Sequence, residues 1–234
     1  MAAQSGTSMS FAAVTAIAIP GIEIRLRSRP FYTAVKRAAD TAAALVLLLF
    51  LSPIFLAVAL AIIVDNGWPV LYVGERIGRA ARTFRCVKFR TMRVDADPRV
   101  HAEFLRELMR GQAAASGLFK VPRDSRITRV GTFLRRSSLD ELPQLWNVLR
   151  GEMSLIGPRP EALYALENYE PWMYRRFEVT PGVTGLWQVS GRSKIGPRDM
   201  LRLDVEYAER CNFWLDMRIL ARTIPAVLRG TGAA

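Results

Sequence analysis

Two adjacent carboxylates, Asp140 and Glu141, are the side chains best placed in this sequence to perform chemistry. They precede Pro143, which has no N–H and is favoured in the first turn of a helix. Ser138 and Glu141 have the spacing of a capping box, and Gly151 is a suitable stop. We therefore predict a helix that begins just before Pro143. Both carboxylates would lie at its N-terminus, where free N–H groups favour negative charge and can also hold a phosphate.

The predicted helix carries apolar side chains at helical spacing on one face. These residues are Leu142, Leu145, Trp146 and Leu149. Acidic residues in a first helical turn are common as simple capping residues. Spacing alone therefore leaves the role of Asp140 and Glu141 open between capping and catalysis.

The surroundings of the two carboxylates are strongly basic. The nearby arginines are Arg123, Arg126, Arg129, Arg135 and Arg136. The whole chain has a net charge of +12, which favours an anionic partner such as nucleic acid, anionic lipid or a phosphorylated substrate. With His101 as the single histidine, enzymatic chemistry is expected to rest on carboxylates. Cys86 and Cys211 have neither metal-ligand nor disulfide spacing, which favours a reducing compartment.

Residues 41–64 form an apolar segment without any charged side chain. At ~1.5 Å per residue, a straight helix of this length would cross a bilayer core of ~30 Å. Ser52-Pro53 lies at its centre, where proline removes a helix hydrogen bond and bends the chain. Both flanks are basic, so the positive-inside rule assigns both to the cytoplasm. We predict a re-entrant helix that returns to the same face. A kinked transmembrane helix with a periplasmic C-terminal domain is the alternative.

Short strands are predicted at residues 69–73 and 83–90, the second alternating basic and apolar side chains. Asp95 and Asp97 form a DxD triplet, which holds a metal and diphosphate in nucleotide-sugar glycosyltransferases of another fold. Pro98 follows and no long βαβ pattern precedes it, so a turn is favoured here. Residues 101–110 are predicted as a short amphipathic helix.

The C-terminal half combines loops and helices. Pro158 and Pro160 fix the backbone around Arg159, so its guanidinium can be aimed with little loss of entropy. Residues 180–192 have the composition of a loop and hairpin. Helices are predicted at residues 161–177, 200–210 and 212–229. The first has aromatic and basic residues that suit either a membrane surface or a packed core. The last has a basic amphipathic pattern compatible with anionic lipid.

The run SLDELPQLWNVLRGEMSLIGPRP at residues 138–160 closely resembles the core signature of the bacterial monotopic phosphoglycosyl transferases. These enzymes are also called polyprenyl-phosphate sugar-1-phosphate transferases. KFRTM at 88–92, DSRIT at 124–128 and PGVTGLWQVSGR at 181–192 resemble further family motifs. The resemblance runs from about Lys36 to about Arg229. The short chain is similar to the small members that initiate exopolysaccharide synthesis.

This resemblance implies transfer of a sugar-1-phosphate from a UDP-sugar to undecaprenyl phosphate, with release of UMP. UDP-glucose and UDP-galactose are the expected donors. Our hypothesis makes Asp140 the nucleophile that forms an aspartyl-phosphosugar intermediate and Glu141 the ligand of Mg²⁺. Side chains expected to bind phosphate or substrate are Lys88, Arg90, Arg126, Arg135, Arg159 and Arg192. Asp204 and Asp216 match acidic positions of the family, and their role stays open.

The expected fold class is α+β and mainly helical, in a monotopic membrane protein. Residues 1–35 would be a variable extension, and residues 36–66 a re-entrant helix broken at Ser52 and Pro53. Residues 67–230 would form a compact cytosolic catalytic domain with amphipathic interfacial helices. The expected location is the cytoplasmic face of the bacterial inner membrane, with membrane lipid but no nucleic acid as a partner. A homodimer stays an open alternative.

Two other functions remain open. The first is a basic membrane-surface protein that binds RNA or anionic lipid without catalysis, with salt-sensitive binding. The second is a DxD-type glycosyltransferase that uses Asp95 and Asp97 and releases UDP.

Overall fold

A computed structural model of the chain describes residues 29–96, 124–191 and 195–228, together with Ile24, Leu26 and Glu103. The predictions for Asp97, for Arg192 and for most of the helix at 101–110 lie outside the described residues.

Two helices, α1 (Pro30–Phe50) and α2 (Ser52–Asn66), open the main described segment and meet at a bend of 61°. Leu51 separates them, and the Ser52 hydroxyl donates a hydrogen bond of 2.8 Å to the Leu49 carbonyl. The predicted break at Ser52 and Pro53 is confirmed, because a proline near the start of α2 cannot continue the hydrogen bonding of α1. Among the described helices, none could cross a membrane alone, but this bent pair has the length and composition to do so.

The bent pair also contributes to the core of the domain. Ala44 of α1 packs with Leu145, and Ile62 of α2 packs with Phe89 and Leu134. Many other apolar side chains of the pair are exposed. They include Val46, Leu49, Phe50, Leu56 and Val64. The pair therefore has one face inside the protein and one apolar face left uncovered by the described residues.

Within the described residues, four strands form two small sheets. β1 (Leu71–Ile77) and β2 (Thr83–Phe89) pair antiparallel, which confirms the two predicted strands, although β1 starts and ends later than expected. A 3-10 turn at Arg79–Ala81 connects them. β3 (Ser154–Ile156) and β4 (Gly182–Thr184) pair in parallel. The predicted hairpin at residues 180–192 is therefore wrong, since β4 finds its partner in a distant segment.

Further described helices lie between and after these strands. They are α3 (Arg129–Ser137), α4 (Gln144–Arg150), α5 (Leu186–Val189), α6 (Pro197–Arg210) and α7 (Phe213–Leu228). The last two confirm the predicted C-terminal helices. α7 buries Asp216 and Ile219 and exposes the basic Arg218 and Arg222 beside the apolar Trp214 and Ile224. Contact of this exposed side with anionic lipid stays a prediction.

The predicted helix at 161–177 is wrong. Two 3-10 stretches, Leu163–Asn168 and Pro171–Glu178, replace it. Pro171 explains the interruption, because it lacks a donor and forces the preceding residue into an extended conformation. Tyr174 and Phe177 are buried and pack with Ile77. Core packing, rather than a membrane surface, is thus the correct alternative for this segment.

Candidate active site

Asp140 and Glu141 lie in a 3-10 turn, Leu139–Glu141, between α3 and α4. Ser138 caps the C-terminus of α3 in a left-handed conformation, with a φ of 58°, and its side chain makes no capping bond. The predicted capping box is therefore wrong, because Ser138 ends one helix instead of starting the next. α4 begins after Pro143, so the predicted start just before Pro143 is wrong and the two carboxylates lie in the preceding turn. α4 stops at Gly151, where φ is 80°, which confirms the predicted stop.

α4 is fixed against β2 by a polar side chain rather than by a purely apolar face. The Asn147 side chain accepts a 3.0 Å hydrogen bond from the Val87 N–H and donates one of 2.7 Å to the Arg85 carbonyl. Trp146, predicted on the apolar face with Leu145, is 52% exposed. The predicted apolar face is therefore wrong at Trp146. Asn147 instead faces β2, where its side chain satisfies the backbone groups of Val87 and Arg85.

Glu141 is held by two cations from different elements. Lys88 of β2 donates to its Oε1 at 2.8 Å. Arg159 donates to Oε2 at 3.1 Å and to Oε1 at 2.5 Å. Burial raises the pKa of Glu141, but the charges of Arg159 and Lys88 outweigh burial and hold this pKa well below its ordinary range. Glu141 is therefore a fixed anion.

Asp140 has a different environment although it is the next residue. Burial, and then the charge of Glu141, raises its pKa above that of an ordinary aspartate, against the opposing charges of Lys88, Arg159 and Arg135. No hydrogen bond within the described residues occupies its carboxylate. Two neighbouring carboxylates with pKa values displaced in opposite directions are typical of sites that divide two chemical roles between them.

Arg135 reaches the site from α3. Its Nε donates to the Thr91 hydroxyl at 2.9 Å, and burial lowers its pKa while Asp140 opposes that effect. Gly131 lets α3 lie close to Thr91, which follows the end of β2. A Cβ there would lie 2.1 Å from the Thr91 carbonyl oxygen. Thr91 was not singled out from the sequence, because nothing local signals this contact.

Arg126 and Arg90 differ from these cations in their surroundings. Arg126 forms a bidentate ion pair with Asp124, at 2.8 and 2.7 Å, and this hydrogen bonding lowers the pKa of Asp124. The Nη1 of Arg90 is buried without a hydrogen-bond partner in the described part of the chain, and burial lowers the Arg90 pKa. Of the predicted basic residues, the structure thus brings Lys88, Arg135 and Arg159 to the carboxylates.

The loop that carries Arg159 packs against β4. The Gly157 N–H donates to the Thr184 carbonyl at 2.9 Å, and the Gly182 N–H donates to the Pro158 carbonyl at 2.8 Å. A Cβ on Gly182 would lie 2.0 Å from the Gly157 nitrogen. The segments at 157–160 and 181–184, which belong to two separate sequence motifs, are therefore hydrogen-bonded to each other next to Arg159.

Asp204 and Asp216 are buried, and their described hydrogen bonds and ion pairs go to groups other than Asp140, Glu141 and their three cations. Asp204 forms an ion pair of 2.6 Å with Arg176. Asp216 accepts hydrogen bonds from Tyr32 at 2.7 Å, Lys36 at 2.9 Å and Tyr207 at 2.7 Å. Asp216 thus connects α7 to the start of α1. The structure favours supporting roles for both aspartates.

No group of three or more metal-ligating side chains occurs within the described residues. Mg²⁺ commonly binds through one or two carboxylates together with substrate phosphates and water. Glu141 suits that arrangement, because among the described residues its Oε2 accepts a single hydrogen bond, from Arg159. Asp95 lies in a turn, as predicted.

The chain belongs to the bacterial sugar transferase family, whose sequence model matches residues 31–230. This confirms the family predicted from the sequence motifs.

Relatives with related names support the same assignment. The UDP-galactose-lipid carrier transferase of Erwinia amylovora is 42% identical over 203 residues, which cover 85% of this chain and 41% of that protein. The exopolysaccharide production protein ExoY of Rhizobium meliloti is 40% identical over 205 residues, covering 88% of this chain and 90% of ExoY. The undecaprenyl-phosphate galactose phosphotransferase of Salmonella typhimurium is 39% identical over 203 residues, covering 85% and 41%. The chain therefore spans about two fifths of the first and third relatives and nine tenths of ExoY.

Proposed function

We propose that this protein transfers a sugar-1-phosphate from a UDP-sugar to undecaprenyl phosphate and releases UMP. Family membership and the names of the relatives support the reaction class. The observation that carries the proposal is the pair Asp140 and Glu141 among three cations, in which the pKa of Asp140 is raised and the pKa of Glu141 is lowered. A phosphorylated donor and a phosphorylated acceptor both need such a cluster of positive charge.

Asp140 acts as the nucleophile. One carboxylate oxygen attacks the β-phosphorus of the UDP-sugar, and an O–P bond forms while the bond to the bridging oxygen breaks. UMP leaves with that electron pair, and the sugar phosphate stays on Asp140. A phosphate oxygen of undecaprenyl phosphate then attacks the same phosphorus and releases the carboxylate. The raised pKa of Asp140 supports this role, because a more basic carboxylate is a better nucleophile.

The cations hold the reacting groups in place. Arg159 and Lys88 orient Glu141, and their remaining donors, with Arg135, neutralise charge on the diphosphate. Arg192 is assigned to the same task from its motif. The charges support this arrangement: three cations face two carboxylates, so the cluster keeps an excess of positive charge for a phosphate.

Glu141 is the residue proposed to hold Mg²⁺. When bound, the ion supplies positive charge that stabilises the phosphate oxygens and the leaving group. The oxygen donors of Glu141 and of the donor diphosphate suit this hard cation.

We further propose that α1 and α2 form a re-entrant anchor on the cytoplasmic face of the membrane. The 61° bend, the exposed apolar side chains and the basic flanks support this placement. Exposed Trp214 and Ile224 on α7 would contact the same lipid surface. Undecaprenyl phosphate would then present its headgroup beside Asp140.

The experiment is a nucleotide-release assay with the detergent-solubilised full chain, undecaprenyl phosphate, Mg²⁺ and a panel of UDP-sugars that includes UDP-glucose and UDP-galactose. We expect UMP with at least one donor, and none from Asp140→Asn. Asp199→Asn, which changes an exposed aspartate of α6, is the matched control and should keep full activity. Release of UDP would favour the glycosyltransferase alternative. Salt-sensitive lipid or RNA binding without any nucleotide release would favour the binding protein.

A further inference from the structure

We propose that Arg176 is a positioning residue for the active site. Held by Asp204 and Glu161, it fixes the backbone carbonyl of Arg159 and, through it, the guanidinium that binds Glu141. This inference rests on the proposed function, since it assigns Arg176 to the support of the same two carboxylates.

Arg176 lies at the centre of a buried polar network. Its side chain is only 2% exposed. Nη2 donates to the Arg159 carbonyl at 2.6 Å and to Asp204 at 2.6 Å, and Nη1 donates to Glu161 at 2.9 Å and to the Tyr169 hydroxyl. The rigid guanidinium fork therefore joins four groups at fixed angles, two from the loop at Arg159 and Glu161, one from Tyr169 and one from Asp204 of α6. One of the four is the backbone of the loop that carries Arg159.

That backbone bond acts at the position where the loop retains conformational freedom. Pro158 and Pro160 fix φ on either side, and Pro160 also restricts the backbone of Arg159. The ψ of Pro158 and the φ of Arg159 are left free, and rotation about either moves the Arg159 carbonyl and the Arg159 side chain together. Arg176 holds that carbonyl, so it also limits how far the Arg159 side chain can move relative to Glu141, 18 residues away in sequence.

Stability alone is a poor explanation for the network. A buried ion pair often contributes little net stability, and apolar residues of similar volume can replace it without loss. Burial raises the pKa of Asp204 to about 7 even though Arg176 opposes that shift. The Asp204 Oδ1 is also buried without a hydrogen-bond partner among the described residues. Burial therefore disfavours the ionised form of Asp204, on which the ion pair with Arg176 depends. The network is better explained by the position in which it holds the Arg159 backbone.

The first test compares Arg176→Lys with Arg175→Lys. Lysine keeps the charge but cannot reach all four partners of Arg176. Arg175 is the matched control, because it lies on the same 3-10 stretch, is 45% exposed and pairs with Glu178 and Glu209 instead. Hydrogen–deuterium exchange of the full chain in detergent reports on the amides of Gly157, Arg159, Glu161 and Ala162, since Pro158 and Pro160 have none. We expect exchange there to become roughly tenfold faster in Arg176→Lys only. Equal exchange in both variants would overturn the proposal.

The second test separates position from folding. Arg176→Met combined with Asp204→Leu removes both charges and should keep the fold. We expect UMP release to fall roughly tenfold to a hundredfold in this double variant at an unchanged melting temperature. In an Arg159→Ala background the same pair of changes should have almost no further effect, because the residue being positioned is gone. If the double change lowered UMP release by the same factor in the Arg159→Ala background as in wild type, Arg176 would not act through Arg159, and the proposal would be wrong. If wild type itself released no UMP, the proposed function would fail, and the exchange experiment would still decide the role of Arg176.

Discussion

Replacement of Arg159 tests whether the anion Glu141 must be held for the reaction. Arg159 donates to both oxygens of Glu141, at 3.1 and 2.5 Å. Arg159→Lys keeps the charge but offers a single point donor, whereas Arg159→Ala removes both bonds and leaves Lys88 as the remaining described partner. The two variants therefore remove the interaction in two steps of increasing size.

The expected magnitude follows from the number and exposure of these bonds. A hydrogen bond to a charged group contributes ~1.5–3 kcal/mol, and we take the lower end because the Arg159 side chain is 36% exposed. Arg159→Lys loses one bond, about 1.5 kcal/mol, which corresponds to about a tenfold lower rate. Arg159→Ala loses about 3 kcal/mol, or about 150-fold.

The assay is UMP release at saturating donor, with circular dichroism and melting temperature as measures of folding. Arg202→Ala is the control, because the Arg202–Asp199 pair is on the surface, with side chains 64% and 57% exposed. Such a pair is worth at most ~1 kcal/mol of stability, so the rate should not change. A folded Arg159→Ala variant within about threefold of the wild-type rate would refute the assigned role of the Arg159–Glu141 pair.

Three further changes test the scaffold. Gly182→Ala places a Cβ 2.0 Å from the Gly157 nitrogen, so we expect ~1–3 kcal/mol of lost stability and strongly reduced UMP release; an unchanged melting temperature would contradict this packing. Arg37 donates to the carbonyls of Val148 and Leu149 at the C-terminus of α4, and Arg37→Met should lower the melting temperature by roughly 2–8 °C. The pKa of Asp204 is about 7 in the folded protein, whereas that of an unfolded aspartate is ~3.9. Protonated Asp204 therefore stabilises the fold fully below about pH 4, and this contribution is lost as the pH rises through about 7. The melting temperature of wild type relative to Asp204→Asn should therefore fall between about pH 4 and about pH 7, and a constant difference would show that the Asp204 pKa is not raised.

Local chemistry made part of this structure predictable. Pro53 interrupts an uncharged run, so the break between α1 and α2 can be read from composition alone. Gly151 likewise ends α4, with a positive φ of 80° that glycine adopts without strain. Asp140 and Glu141 stand out because two adjacent carboxylates occur in a basic segment that matches a family motif.

Contacts between distant segments were not predictable in the same way. The capping box failed because the left-handed conformation of Ser138 depends on how α3 and the following turn are packed together. The parallel pairing of β3 and β4 joins segments separated by a long stretch of 3-10 structure. The composition of residues 161–177 suits a membrane surface or a packed core equally, and only the fold shows that Arg176 of this segment binds the Arg159 carbonyl.

The most direct measurement is mass spectrometry of the enzyme, rapidly quenched after mixing with UDP-sugar and Mg²⁺ in the absence of undecaprenyl phosphate. We predict a mass increase of one sugar phosphate on the peptide that contains Asp140, and no increase in Asp140→Asn. An adduct on another residue, or no adduct in an enzyme that turns over normally when undecaprenyl phosphate is added, would contradict nucleophilic attack by Asp140.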